Sequence, residues 1–135
     1  MTSKYPNLVM TVIGLVLTST SVSWASPASD TCVALANART ALYSMLSAKD
    51  KPALDTLNAK VQATSTRIDA LIAGMIGADA KVAADFKTVW DQFKATREDR
   101  IIPAIYRGNV DDAKKIADGI QFERFSKMWR LMSCR

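Results

Sequence analysis

The stretch PALDTLNAKVQATSTRIDALIAGMIG, residues 52–77, decides the fold. Its members Leu54, Leu57, Val61, Ile68, Leu71 and Met75 recur at heptad spacing, with Thr64 the one polar residue in the series. Side chains three and four apart share a face of a 3.6-residue helix, so the spacing predicts an amphipathic helix. Pro52 suits its first turn, where a missing amide hydrogen costs nothing, and Gly77 is a natural left-handed stop.

The same spacing extends outward in both directions. Before it, a helix is expected from about Asp30 to Ala48, with Leu35, Leu42 and Leu46 on one face and Ala38 and Met45 at its margin. The turn Lys49-Asp50-Lys51 ends it. After it, a third helix is expected from about Asp79 to Tyr106 through Val82, Phe86, Val89, Trp90, Phe93, Ile101 and Ile105. Pro103 should kink or fray its last turns. Gly108 closes it, and Asn109 is read as the cap of a fourth helix that runs to the C-terminus, with Asp111 and Asp112 at the positive end of its dipole. No segment alternates with period two over a useful length. The expectation is an all-α chain, an up-down-up-down antiparallel four-helix bundle over residues 26–135.

Residues 1–25 read as a signal peptide. Lys4 precedes an apolar run from Leu8 to Leu17, and a polar stretch follows that ends in Ser23-Trp24-Ala25, with small residues where signal peptidase cuts. Cleavage after Ala28 is a second option. The apolar run is about half of the roughly 20 residues needed to span a bilayer, and no later stretch is as apolar, so no stable membrane span is expected after cleavage. Export, most simply to a bacterial periplasm, is the expected localisation.

Export bears on the two cysteines, Cys32 and Cys134. In an even-numbered antiparallel bundle the start of the first helix and the end of the last lie at the same end. The two cysteines occupy those places, so a disulfide between them is expected.

Composition narrows the function. Histidine is absent, which removes the commonest metal and haem ligand and the usual general base at neutral pH. The net charge of +5 is spread along the chain without a run of Lys and Arg, which argues against nucleic-acid binding. No catalytic residue, metal site or cofactor is expected.

Three arginines fall among apolar residues. Arg39 lies between Leu35, Leu42 and Leu46, Arg97 between Phe93 and Ile101, and Arg124 between Ile120, Met128 and Leu131. Each needs an acid, a ligand or a route to solvent. At about 1.5 Å per residue from the disulfide end, Arg39 and Arg124 both stand about 14–15 Å up, level with Ser65 and Trp90, with Gln121 one turn higher. Arg39, Ser65, Trp90, Gln121 and Arg124 therefore form a candidate site for a small organic anion, since guanidinium groups grip planar oxyanions. Arg97 is set about 12 Å further along by the same reckoning. The alternative is that the arginine heads reach water or pair with Glu98, Asp118 or Glu123. Near the C-terminus, Phe122, Phe125, Trp129 and Met132 widen the apolar arc beyond what one bundle needs. They are read as a partner interface, such as a homodimer, or as filling beside a shorter first helix.

The series Trp90, Phe93, Arg97, Ile102-Pro103-Ala104-Ile105, Gly108-Asn109-Val110-Asp111-Asp112-Ala113, Ile116 and Gly119 resembles the second half of the periplasmic four-helix-bundle sensor domain of methyl-accepting chemotaxis receptors. The likeness covers residues 80–130, and residues 30–75 by periodicity alone. It implies small-molecule binding between helices, dimers and a part in signal sensing. With no second span or output domain in the sequence, a free-standing sensor, or one that serves a membrane-receptor partner, is the expectation. A weaker resemblance, carried by Val89-Trp90-Asp91, Gly108-Asn109, Gly119, Trp129 and Arg130, is to cytochrome c-prime. There, Phe122, Phe125 and Ser126 stand where that family attaches haem, which implies a haemless bundle. The enzymatic alternative is a secreted chorismate mutase, an all-helical fold that binds a dicarboxylate with arginines, for which Arg39, Arg97, Arg124 and Gln121 offer the chemistry.

Overall fold

The computed structural model describes residues 26–135, and the leader expected at residues 1–25 lies outside the described residues. All regular structure among the described residues is helical. Helix α1 spans Pro27–Ser47 and is capped by Ser26, whose hydroxyl accepts from the Ser29 amide, with Pro27 in its first turn. Asp50 caps α2, Lys51–Ala73, through the Ala53 amide. This helix ends earlier than its glycine suggested: Gly74 closes it in a right-handed conformation, and Gly77, at φ 63°, instead opens a short 3-10 turn over Gly77–Asp79. Met75 nevertheless stays in the core.

The third rod is α3, Ala80–Thr96, continued through a π turn, Arg97–Ile101, into α4, Ile102–Tyr106. The expected fraying at Pro103 does not occur. Proline lacks an amide hydrogen and its ring presses on the carbonyl four residues back. One wide turn just before it, in which the Ile102 amide donates to the Arg97 carbonyl, takes up the conflict and keeps the rod continuous. Gly108, at φ 82°, then ends α4 with the Asn109 amide donating to the Ala104 carbonyl at 2.8 Å.

The fourth rod is broken where an unbroken helix was expected. Helix α5, Val110–Asp118, and α6, Ile120–Leu131, meet at Gly119, whose φ of −92° and ψ of −111° lie outside the helical region. Asn109 precedes α5 without donating or accepting a side-chain cap bond. After α6, Ser133 takes a left-handed turn at φ 54°, and Cys134 bonds to Cys32 with their Cα atoms 5.6 Å apart.

Helix α1 packs along α2 and α3 along α6, with α5 against α4 and the π turn. The core divides into two apolar groups. The one nearer the disulfide holds Leu35, Ile68, Phe86, Trp90, Phe125 and Met128, and the other holds Leu42, Met45, Val61, Ile101, Ile105 and Ala113. On every rod the switch between groups falls at a polar residue: Arg39 on α1, Ser65 on α2, Arg97 at the π turn and Gln121 on α6. A polar layer therefore crosses the core. No helix among the described residues is long and apolar enough to cross a membrane.

Candidate functional site

Arg97 is the centre of the polar layer. Only 1 % of its surface is exposed. Its Nη2 donates to Ser65 Oγ at 2.8 Å, and the Ser65 hydroxyl in turn donates to the Val61 carbonyl at 2.8 Å. The Glu98 Oε1 atom accepts from Arg97 Nε at 2.9 Å and lies 2.8 Å from Nη2. Gln62 Nε2 donates to both Glu98 oxygens at 3.0 Å. The guanidinium carbon stands 5.7 Å from the Trp90 ring centroid. Nη1 is buried without a partner among the described residues. Burial pushes the Arg97 pKa below the ordinary arginine value, and Glu98 and Asp69 oppose that shift without cancelling it.

Side chains on a helix lean toward its N-terminus, so the Arg97 head lies back toward Trp90 and its level is lower than residue counting implies. The separation of Arg97 from the candidate site is thereby corrected: Ser65 and Trp90 are its immediate neighbours.

The other three candidates form a second group. Arg124 Nη1 donates to Thr96 Oγ1 at 2.6 Å, to Gln121 Oε1 at 3.0 Å and to the Gln92 carbonyl at 3.3 Å. Gln121 Nε2 donates to the Phe93 carbonyl at 2.9 Å. Arg39 lies over three rings, 4.7 Å from the centroid of Phe125, 5.2 Å from Tyr43 and 5.3 Å from Phe122. It shares with Gln121 and Phe122 a crevice of about 10 Å³, room for one water. Among the described residues neither Arg39 nor Arg124 has a carboxylate within ion-pair distance. Phe93 connects the two groups, since its ring stacks on Trp90 at 5.7 Å.

Two carboxylates shape the surroundings. Asp69 accepts from Trp90 Nε1 at 2.7 Å and from Lys94 Nζ at 2.7 and 2.9 Å. Tyr43 donates to Asp118 at 2.6 Å, and burial, followed by that hydrogen bond, raises its pKa. Asp69 was absent from the sequence reading, yet it lies four residues beyond Ser65 on the same helical face, so its spacing was a usable signal.

Of the aromatic residues assigned to a partner interface, Phe125 and Met132 belong to the core, and Trp129, half-buried, stacks on Phe125 at 5.4 Å. Phe122 is 46 % exposed, beside Ile120 at 42 %. A surface groove of about 750 Å³ lies beside the disulfide and is lined by Val33, Val82 and Trp129, away from Arg39, Arg97 and Arg124. Compared with protein-family models, with curated proteins and with solved structures, the chain has no match.

Proposed function

We propose that this chain is an exported, periplasmic four-helix bundle that senses or binds a small organic anion, without catalysis, at the crevice of Arg39 and Gln121, with Arg124 beside it on Gln121. One observation carries the reading: half-buried Arg39 shares the crevice with Gln121, half-buried Arg124 donates to Gln121, and neither arginine has a carboxylate within ion-pair distance among the described residues. Internal cations without a matched acid favour an anion from solution. The crevice admits only water, so a larger anion enters by displacing the exposed Phe122 ring, leaving Arg39 and Arg124 to hold it. Ser65 and Trp90 act through Phe93, as the wall behind the site. In this reading the bundle is of the up-down-up-down antiparallel kind, reached after removal of residues 1–25, and its partner is a membrane receptor or a second copy.

A thermal-shift screen of organic acids tests the proposal. A hit raises the melting temperature of the wild type and not of Arg39→Ala or Arg124→Ala. Equal shifts in all three proteins would remove the site.

The exposure of Phe122 and Ile120 favours a second reading, in which this face of α6 meets another copy of the chain. Sedimentation at two concentrations, repeated with Phe122→Asp, checks it: concentration-dependent dimers that the substitution abolishes support it, and a monomer throughout dismisses it.

A further inference from the structure

Arg97 and Glu98 are consecutive residues, and consecutive side chains on an α-helix diverge by about 100° and do not face each other. Here they meet within the π turn, through two reaching side chains. The pairing has the layout of ligand capture. The Nε and Nη2 edge of a guanidinium is the fork that takes a planar carboxylate with two parallel hydrogen bonds. Glu98 fills that fork with a single oxygen, Oε1, and turns toward Gln62 with both oxygens.

Three further observations set this pair apart from an ordinary internal ion pair. The Arg97 side chain is 1 % exposed, while that of Glu98 is 39 % exposed, so the carboxylate stands at the mouth and can leave for water without crossing the core. The arginine is incompletely satisfied on its other side, since Nη1, outside the fork, is buried without a partner among the described residues. The rest of the fork's surroundings is fixed: Ser65 holds Nη2 from α2, and the Trp90 face backs the guanidinium from α3.

We infer that the Arg97 fork is a carboxylate-binding subsite that Glu98 occupies as an internal stand-in, and that an entering small carboxylate displaces Glu98 outward. Gln62 then acts as the outer latch, holding Glu98 in place until a competitor arrives. The inference does not depend on the Arg39 crevice, because none of Arg97, Glu98, Ser65 and Gln62 lines it.

Acetate is the probe, titrated against chloride at constant ionic strength and followed by the 1H–15N resonances of Arg97 Nε and Trp90 Nε1. If Glu98 holds the fork about nine-tenths of the time, the apparent affinity is lowered about tenfold in the wild type. Glu98→Ala should therefore bind acetate about tenfold more tightly than the wild type, with saturable shifts at Arg97 Nε that chloride does not produce. Those shifts should persist in Glu98→Ala combined with Arg39→Ala, which separates this subsite from the crevice. Equal acetate responses in the wild type and Glu98→Ala, or a response that chloride reproduces, would overturn the inference. If Glu98→Ala fails to fold, Glu98→Gln keeps a neutral acceptor for Arg97 and Gln62 and should show a smaller gain of the same sign. No gain in that variant overturns the inference equally.

Discussion

At Asp69, two influences on one carboxyl run in opposite directions. Burial works to raise its pKa, while the hydrogen bonds from Lys94 and from the Trp90 indole lower it and prevail. A carboxyl whose folded pKa lies below its unfolded one adds stability that is fully present above the unfolded value. That stability is lost as the pH falls from the ordinary carboxylate range through the lowered folded value. Asp69→Asn should remove this contribution, so acid unfolding followed by Trp fluorescence should be shallower in the variant over that window while the two curves run parallel near neutral pH. Arg97 behaves differently, because its partner Glu98 reaches water and can be rehydrated when left alone. Replacing a buried ion pair by apolar volume is often neutral or stabilising. Arg97→Met, which keeps apolar volume against Trp90 and leaves Glu98 to be hydrated, should be less destabilising than Arg97→Ala, which leaves a void between Trp90 and Ser65 and should lose about 2–4 kcal/mol. Urea denaturation of both variants makes the comparison.

Among the elements, the two proline and glycine sites in the second half of the chain had different outcomes. Pro103 was expected to kink or fray its helix, and the irregularity lies one turn upstream of it, in the π turn that carries Arg97 and Glu98. Gly119 was expected to lie within a helix and instead separates α5 from α6. A Cβ added there would stand 3.0 Å from the Lys115 carbonyl oxygen, a backbone atom that cannot swing aside as a side chain would. Gly119→Ala should therefore cost about 1–3 kcal/mol by overpacking, read as a lower midpoint in thermal or urea unfolding. The break also sets the direction of Gln121, two residues later, whose amide bridges Phe93 and Arg124.

Across the whole molecule, the disulfide ties the first described helix to the last over a sequence separation of 102 residues. Such a bond acts mainly by confining the unfolded chain, and the loss on removing one from a small exported domain is about 2–5 kcal/mol. Cys32→Ser with Cys134→Ser should lower stability by that amount and raise the urea m-value, because the open unfolded chain exposes more surface. Helix content at low temperature should persist, since the two apolar groups of the core do not include the bond among their buried members.

The helical class, the four rods and the cysteine pair were legible in the sequence. Helical periodicity is local, with each turn reporting its own face, and a chain with two cysteines at matching ends has one pairing to make. Residue counting set Arg39 and Ser65 level and Gln121 one turn higher, whereas all three fall at the switch between the two core groups. The tertiary structure alone decided which of these residues touch. An arginine head lies about one helical turn from its own Cα, so small rotations of a rod choose its partner. That freedom delivered Arg97 to Ser65 and Trp90, stacked Arg39 on three rings, and left Arg124 with an amide, a hydroxyl and a carbonyl in place of an acid.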